Sequence, residues 1–426
     1  MLTLYFTEEQ INPIDEKFIV GIDEIESIEN GLNEFLFDGI RYEWFQEFQE
    51  EDLRQVYEKM TPYFFEGDFR GETHKRFENL QKIGILSRWL LITITDKKTD
   101  LKVTQYIENN NNEGIVRYIS SISALRKNNL TALQLDTFFS WKSFELSDEE
   151  QLSKALIISA KDQSRFHKLN VYNVGQGSLC SIASNENIPL VYYDMGGGWR
   201  FFRRTYPNTK RLCFTIANTI ILSHWDWDHL ETARRYSYTP DWEKFRDKTW
   251  IVPKQDITSS YMKFLCKIAD ISNVLVWPEI GLERIAFWGG EIIKCKGVSK
   301  NDSGLALIIS CDNNNITNVL HPADAAFKDI PFLNEYTFDG LVGTHHGANF
   351  EINNSDVPIP FDKYHIAYSY AHTRYGHPKG TAIKAYITAG WVERLDTING
   401  NISFTYINNL NVPCGGNCDL TIDQIF

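Results

Sequence analysis

No stretch of the chain approaches the roughly 20 consecutive apolar residues that a membrane-spanning helix needs, so no membrane partner is expected. Basic charge is also short: 43 Lys+Arg stand against 56 Asp+Glu, a net charge of −13. No long basic stripe, the usual footprint of tight non-specific nucleic-acid binding, is present. Cysteines number seven in 426 residues, an odd and mostly scattered set that argues for free thiols in a reducing compartment. The start, Met1-Leu-Thr-Leu-Tyr-Phe-Thr-Glu-Glu, lacks the basic opening and apolar run of a secretory signal. A cytoplasmic location is the expectation. Aromatic residues, by contrast, are plentiful at 14%, within a hydrophobic fraction of 43%. That much apolar surface offsets chain entropy and excludes intrinsic disorder. The length suits two domains, or one large domain with a long insertion.

The acidity has an address. Residues 1–50 hold 13 Asp+Glu against 2 Lys+Arg, a net of −11, whereas residues 51–167 hold 17 of each sign. The remaining 26 acids and 24 bases leave residues 168–426 nearly neutral. An acidic N-terminal domain could recruit a basic protein partner.

Residues 1–167 read as a mixed α+β domain. Phe48, Leu53, Val56 and Met60 have helical spacing within Glu47–Met60. Trp89–Thr95 and Leu101–Ile107, joined by a polar turn, predict a β-hairpin. Ser147-Asp-Glu-Glu150 caps a predicted helix to about Ala160, and Lys161–His167 reads as a linker. From Lys168 the pattern changes to short apolar strands alternating with helices. The predicted strands are 169–174, 190–193, 219–222, 249–252, 274–277, 305–309 and 319–320. Loops at strand ends are where binding and catalytic residues collect in such α/β layers. The domains expected are therefore 1–167, 168–412 and a tail, 413–426.

The densest chemistry is Ser223-His-Trp-Asp-Trp-Asp-His-Leu230, directly after the strand 219–222. In extended backbone His224 and Asp226 point to one side. Asp228 and His229 follow where a helix is ready to start. Four potential metal ligands within six residues can reach two ions bound side by side. A polar helix cap would explain Asp228 but neither histidine nor Asp226. Three more segments agree: Val319-Leu-His-Pro-Ala-Asp324, Leu341-Val-Gly-Thr-His-His-Gly347, and the Gly-rich pair Val174-Gly-Gln-Gly177 and Asp194-Met-Gly-Gly-Gly198. No Lys-Ser/Thr follows these glycines, so they are not a phosphate loop and instead let loops approach the site closely. Cys414-Gly-Gly-Asn-Cys418 reads as a turn rather than a zinc site, and His321 as a packed loop residue.

In this order the motifs VGQG, DMGGG, HxDxDH, PAD, HHG and YGHP resemble the metallo-β-lactamase (MBL) fold. More narrowly they resemble the nuclease domain of ComEC-type DNA-uptake proteins, over about residues 168–410. The resemblance implies a four-layered αβ/βα sandwich, an α/β fold, with two divalent metal ions, Zn²⁺ or Mn²⁺. It implies that His224 and Asp226 bind one ion and that Asp228, His229 and a histidine of the His345–His346 pair bind the other. His345 is the favoured member of the pair, and Asp324 bridges the ions. Asp194 then orients the ligand loop, while Asn301 and Asp302 stand where the first site usually has a third histidine. An oxygen-rich first site favours Mn²⁺ over Zn²⁺. Asp228 and His377 are the residues expected to carry catalysis, His377 by contacting a phosphoryl oxygen or protonating the leaving group. The activity implied is a phosphodiesterase or nuclease acting on nucleic acid or a nucleotide through a metal-bound hydroxide. Alternatives are hydrolysis of a small cyclic nucleotide or carboxylic ester, or a metal-stabilised interaction protein.

Overall fold

Six strands close a barrel in the first of two units, and side chains from alternate positions fill its core. The computed structural model describes residues 15–28, 32–47, 56–57, 59–70, 86–107, 114–126, 130–156, 168–184, 187–199, 204–207, 211–287, 289–310, 318–348, 356–372, 376–404, 418 and 420–426. The chain divides into residues 1–142 with 257–267, and residues 143–256 with 268–426.

The barrel strands are β1 (Glu16–Ile28), β2 (Leu32–Arg41), β3 (Tyr63–Arg70), β4 (Leu86–Thr95), β5 (Lys102–Ile107) and β6 (Ile115–Arg126). Their order is β1-β2-β3-β5-β6-β4, closing back on β1. Alternate residues Phe18 and Val20, Phe35 and Phe37, Tyr63 and Phe65, and Leu90, Ile92 and Ile94 fill one cluster with Val103 and Ile119. The hairpin expected at 89–95 and 101–107 does not form. In a closed barrel each strand has two neighbours: those of β4 are β1 and β6, and those of β5 are β3 and β6. Part of the N-terminal acidity is engaged within this unit. Glu16 pairs with Arg41 (3.1 Å), and buried Asp38 accepts hydrogen bonds from Ser259 Oγ (2.7 Å) and Ser260 N (3.0 Å). Of the helix predicted within Glu47–Met60, Val56, Tyr57 and Lys59 are helical. Glu47 ends the preceding helix Tyr42–Glu47, Met60 is not helical, and residues 48–55 and 58 lie outside the described residues.

In the second unit an eight-stranded sheet has the order β12-β11-β10-β9-β8-β7-β20-β21. Its members are β7 (Lys168–Val171), β8 (Leu179–Ala183), β9 (Pro189–Met195), β10 (Thr219–Ile221), β11 (Thr249–Pro253), β12 (Asn273–Trp277), β20 (Ile402–Phe404) and β21 (Gln424–Ile425). A seven-stranded sheet runs in sequence order: β13 (Arg284–Phe287), β14 (Gly290–Lys294), β15 (Leu305–Ser310), β16 (Asn318–His321), β17 (Phe338–Val342), β18 (Pro360–Tyr368) and β19 (Glu393–Asp396). Strands β9–β12 pair in parallel, as do β16–β19.

One buried cluster takes Leu169, Val171, Val191, Tyr193 and Ile221 from the first sheet and Leu305, Leu307, Ile309, Val319 and Val342 from the second. Facing residues thus alternate out of both sheets into a common core. The other face of the seven-stranded sheet, with Ile308, Leu320, Leu341 and Ile366, packs on Ala382 and Tyr386 of the helix Gly380–Ala389.

Two boundaries differ from expectation. The division falls at 142 rather than 167, because Leu152 and Leu156 of the helix Glu149–Leu156 share the core with Leu169 and Val171. That helix starts at a reciprocal cap: Gln151 N donates to Asp148 Oδ1 (2.8 Å) and Asp148 N to Gln151 Oε1 (3.0 Å). The end of the chain is not a loose tail, since β21 pairs with β20. Cys180, Cys213, Cys266 and Cys295 are free and buried as expected, but Cys418 is disulfide-bonded. Among the described residues, no helix is long and apolar enough to cross a membrane.

Candidate metal centre

Parallel strands of both sheets deliver the polar side chains at their C-terminal ends. Asp194 closes β9, residues 223–229 follow β10, Asp324 follows β16, and His345 and His346 follow β17. Within the 223–229 segment the chain alternates: His224, Asp226 and Asp228 are interleaved with Trp225 and Trp227, both fully buried. Trp225 Nε1 donates to Pro253 O (2.9 Å), and Trp227 stacks on Trp199 at 5.1 Å. The tryptophans anchor the loop while the residues between them face the site. The loop is clamped by backbone as well, for Asp228 O accepts from Ser178 N (3.0 Å) and Gly197 N (2.9 Å). A Cβ on Gly196 would stand 1.7 Å from Asp228 O, so only glycine lets the chain approach this closely. The left-handed backbone of four non-glycine residues, Asp194 (φ 60°), Ala323 (53°), His345 (46°) and His346 (54°), concentrates strain in the same place.

Two groups of three donors come together: His224, His229 and Asp324, and Asp228, His229 and His346. His229 Nε2 lies 3.0 Å from Asp324 Oδ1 and 3.8 Å from Asp228 Oδ1. His346 Nε2 lies 3.0 Å from Asp228 Oδ2, and His224 Nε2 3.7 Å from Asp324 Oδ2. Tetrahedral donors each about 2.1 Å from one ion stand roughly 3.4 Å apart, and these separations bracket that value. The Nε2 atoms of His224, His229 and His346 are buried and make no hydrogen bond. Buried polar atoms rarely go unpaired, so the donor set fits a divalent cation.

Each imidazole is turned by its other nitrogen. His229 Nδ1 donates to Asp194 Oδ2 (2.7 Å), and His346 Nδ1 to Ser369 O (2.7 Å). Ser223 donates to Asp194 through N (2.8 Å) and Oγ (2.9 Å), locking the aspartate in turn.

Burial alone would lower the His229 pKa, but the Asp324, Asp194 and Asp228 carboxylates outweigh it and hold it well above the usual histidine value. Asp324 is held well below the carboxylate range although burial opposes this, because His229 and His345 face it. Burial would likewise raise Asp228, yet His229 holds it down at about 2. His224 is pushed well below the usual value by burial and by His229. Without metal, a proton on His229 therefore does the neutralising. A histidine raised by folding contributes stability in full below its unfolded pKa of about 6.5 and loses it as pH rises through the folded value. Chelated protein should show a thermal midpoint that falls as pH rises from about 6.5 through that higher value. The reloaded protein should hold its midpoint, since the ion replaces the proton. Thermal unfolding at stepped pH, with and without metal, measures both; a flat midpoint in the chelated protein contradicts the arrangement.

The structure does not bring every expected residue into this centre. Asp226 Oδ1 caps Trp227 N (2.7 Å) and Oδ2 faces Lys300 Nζ (3.4 Å), so it stands outside both donor groups. Of the histidine pair, His346 and not the favoured His345 enters a group; His345 Nε2 is 3.6 Å from Asp324 Oδ2 and its side chain is 23% exposed. Asp302 stands outside both groups: it accepts from Ser299 Oγ (2.6 Å) and Ala326 N (2.9 Å), holding the loop that it shares with Asn301. His377 is buried, and Gln176 Nε2 donates to its Nδ1 (3.2 Å). His321 is a packed residue between Cys180 Sγ (3.1 Å) and Ala323 N (3.1 Å). Sequence reading missed Lys300, Ser223, Ser369 and Gln176. Gln176 alone carried a local signal, its place between two loop glycines.

No family model matches the chain, and no curated protein does. Among solved structures it is similar to the metallo-beta-lactamase fold protein YhfI from Bacillus subtilis, with 13% identity and a TM-score of 0.33 over 54% of this chain and 96% of that one. It is similar to a diphosphatase of the PhnP family, with 14% identity and a TM-score of 0.25 over 41% and 73%. A long form RNase Z from yeast aligns with 11% identity and a TM-score of 0.27 over 64% of this chain and 46% of that one.

Proposed function

We propose that this protein is a metal-dependent hydrolase of the MBL superfamily, acting on phosphodiesters of nucleic acid or nucleotides. The observation that carries this reading is the convergence of three hydrogen-bond-free imidazole nitrogens with Asp228 and Asp324 at the strand ends of two sheets. The core shared by the sheets, with a helix packed on the far face of one, supports a four-layered αβ/βα sandwich. The motif order HxDxDH, PAD, HHG and YGHP supports the DNA-uptake nuclease branch, and hence a phosphodiester over a carboxylic ester.

Asp228, His229 and His346, with Asp324 next to them, would hold the metal. When bound, a divalent ion polarises a phosphoryl oxygen and acidifies the water it carries. The protein's own groups orient and exclude. Asp194 and Ser223 fix the His229 ring, and Ser369 fixes that of His346. Burial, with His345 and His346 close by, pushes His377 down to about 2, so it is neutral at working pH. With Nδ1 accepting from Gln176, its proton sits on Nε2, and it donates a hydrogen bond to a non-bridging phosphoryl oxygen rather than a proton to the leaving group.

The test is turnover by chelated protein reloaded with Mn²⁺ or Zn²⁺. Substrates are bis-p-nitrophenyl phosphate, p-nitrophenyl acetate, single-stranded and duplex DNA, RNA and cyclic dinucleotides. Metal-dependent cleavage of the phosphodiesters is expected. Cleavage of the acetate alone overturns the substrate assignment, and no turnover on any of them overturns the enzyme.

A further inference from the structure

We propose that the Lys300 ammonium, paired with Asp226 beside the donor groups, takes the place of a second cation, so that the centre holds one divalent ion and one lysine. The pair is inside the structure: Lys300 Nζ stands 3.4 Å from Asp226 Oδ2, with side chains only 16% and 11% exposed. Asp226 spends its other oxygen on the backbone of its own loop, at Trp227 N. A cation on Asp226 would have to displace the ammonium or sit against a like charge in a partly desolvated place.

The lysine is also held there by construction. Gln255 joins its loop to the ligand loop, accepting from Trp225 N (3.1 Å) through Oε1 and donating to Lys300 O (2.6 Å) through Nε2. On the other side Asp302 accepts from Ala326 N, two residues beyond Asp324. Lys300 is therefore fixed to both segments that carry the donors.

A count of donor atoms agrees. His229 belongs to both groups, yet its Nδ1 is committed to Asp194, which leaves one nitrogen lone pair. One lone pair binds one ion, so the two groups cannot both be complete. The Asp228–His229–His346 group takes the ion, with Asp324 next to it. At the other end, by His224 and Asp226, the positive charge is the ammonium. A lysine is a compact point charge with three donors, suited to an anionic phosphoryl oxygen. That last role rests on the hydrolase reading; the ion count does not.

The experiment uses the full chain, stripped with chelator, reloaded with Mn²⁺ or Zn²⁺ and desalted, with metal counted by mass spectrometry. The parent is expected to retain about one ion per chain, and Asp226→Asn to keep it, because Asp226 ligates the lysine and not the metal. Two ions in the parent, or loss of the ion in Asp226→Asn, overturns the proposal. Calorimetric titration of the metal-loaded protein with inorganic phosphate tests the charge. Lys300→Met, of similar length and partly exposed, should keep the ion and bind phosphate about 10–100-fold more weakly, the range for losing a charged hydrogen bond. Unchanged phosphate affinity overturns the anion role. A parent that holds one ion and binds phosphate but cleaves no phosphodiester refutes the hydrolase reading while the ion count stands.

Discussion

Asp228→Ala should leave a folded protein that neither retains metal nor turns over a phosphodiester. The carboxylate lies 3.0 Å from His346 Nε2 and 3.8 Å from His229 Nε2, so it joins the two imidazoles of one donor group. Removing it takes away a ligand outright. Losing only a ligand's supporting partner costs about 10–100-fold in metal affinity, and the loss here should exceed that. Turnover should fall to background. The fold should survive because the Asp228 carbonyl, not its side chain, is clamped by Ser178 N and Gly197 N. His229→Ala should lose metal just as completely, with an added stability cost. It strips the cation partner from buried Asp194 and Asp324 and leaves their charges uncompensated, a change worth about 3–5 kcal/mol. Metal content, circular dichroism and initial rates on bis-p-nitrophenyl phosphate decide the matter. Activity retained in folded, metal-loaded Asp228→Ala would falsify the centre as drawn.

Much of this was legible because the relevant residues are close in sequence. Residues 189–195 and 219–221 are buried on every face, so they read as unbroken apolar runs. Strands such as β18, with Asp362, Lys363 and His365 inside it, have no such signal and were not predicted. The hairpin error has the same root: two apolar runs across a short turn look paired, but pairing in the barrel is decided by β1, β3 and β6. The cluster from Ser223 to His229 announced itself, since four potential ligands, two His and two Asp, fall on one loop. The choice between His345 and His346 could not be read there. It depends on two successive left-handed residues and on Ser369 O, 23 residues further on. The Asp226–Lys300 pair likewise spans 74 positions with no local pattern to mark it. Tertiary contacts, and not residue identity, decide which of these carboxylates meets Lys300.

His377→Ala should lower kcat by about 10²–10³-fold, the range for losing one donor aimed at developing charge, while metal content stays that of the parent. His377 belongs to neither donor group, so the ion does not depend on it. Its position is set from outside the ligand loop by Gln176, whose amide fixes the proton on the far nitrogen. Because burial and the neighbouring histidines hold it neutral down to about 2, it does not change charge across the pH range of the assay. The pH–rate profiles of parent and variant should therefore have the same shape and differ only in height. A general acid would give a different result: removing it would erase one limb of the profile. KM should change little, since a donor that tightens on the transition state contributes mainly to kcat. Two outcomes sink this role. If the variant loses metal, His377 is a ligand; if kcat changes by less than about threefold, it is a packing residue of the loop.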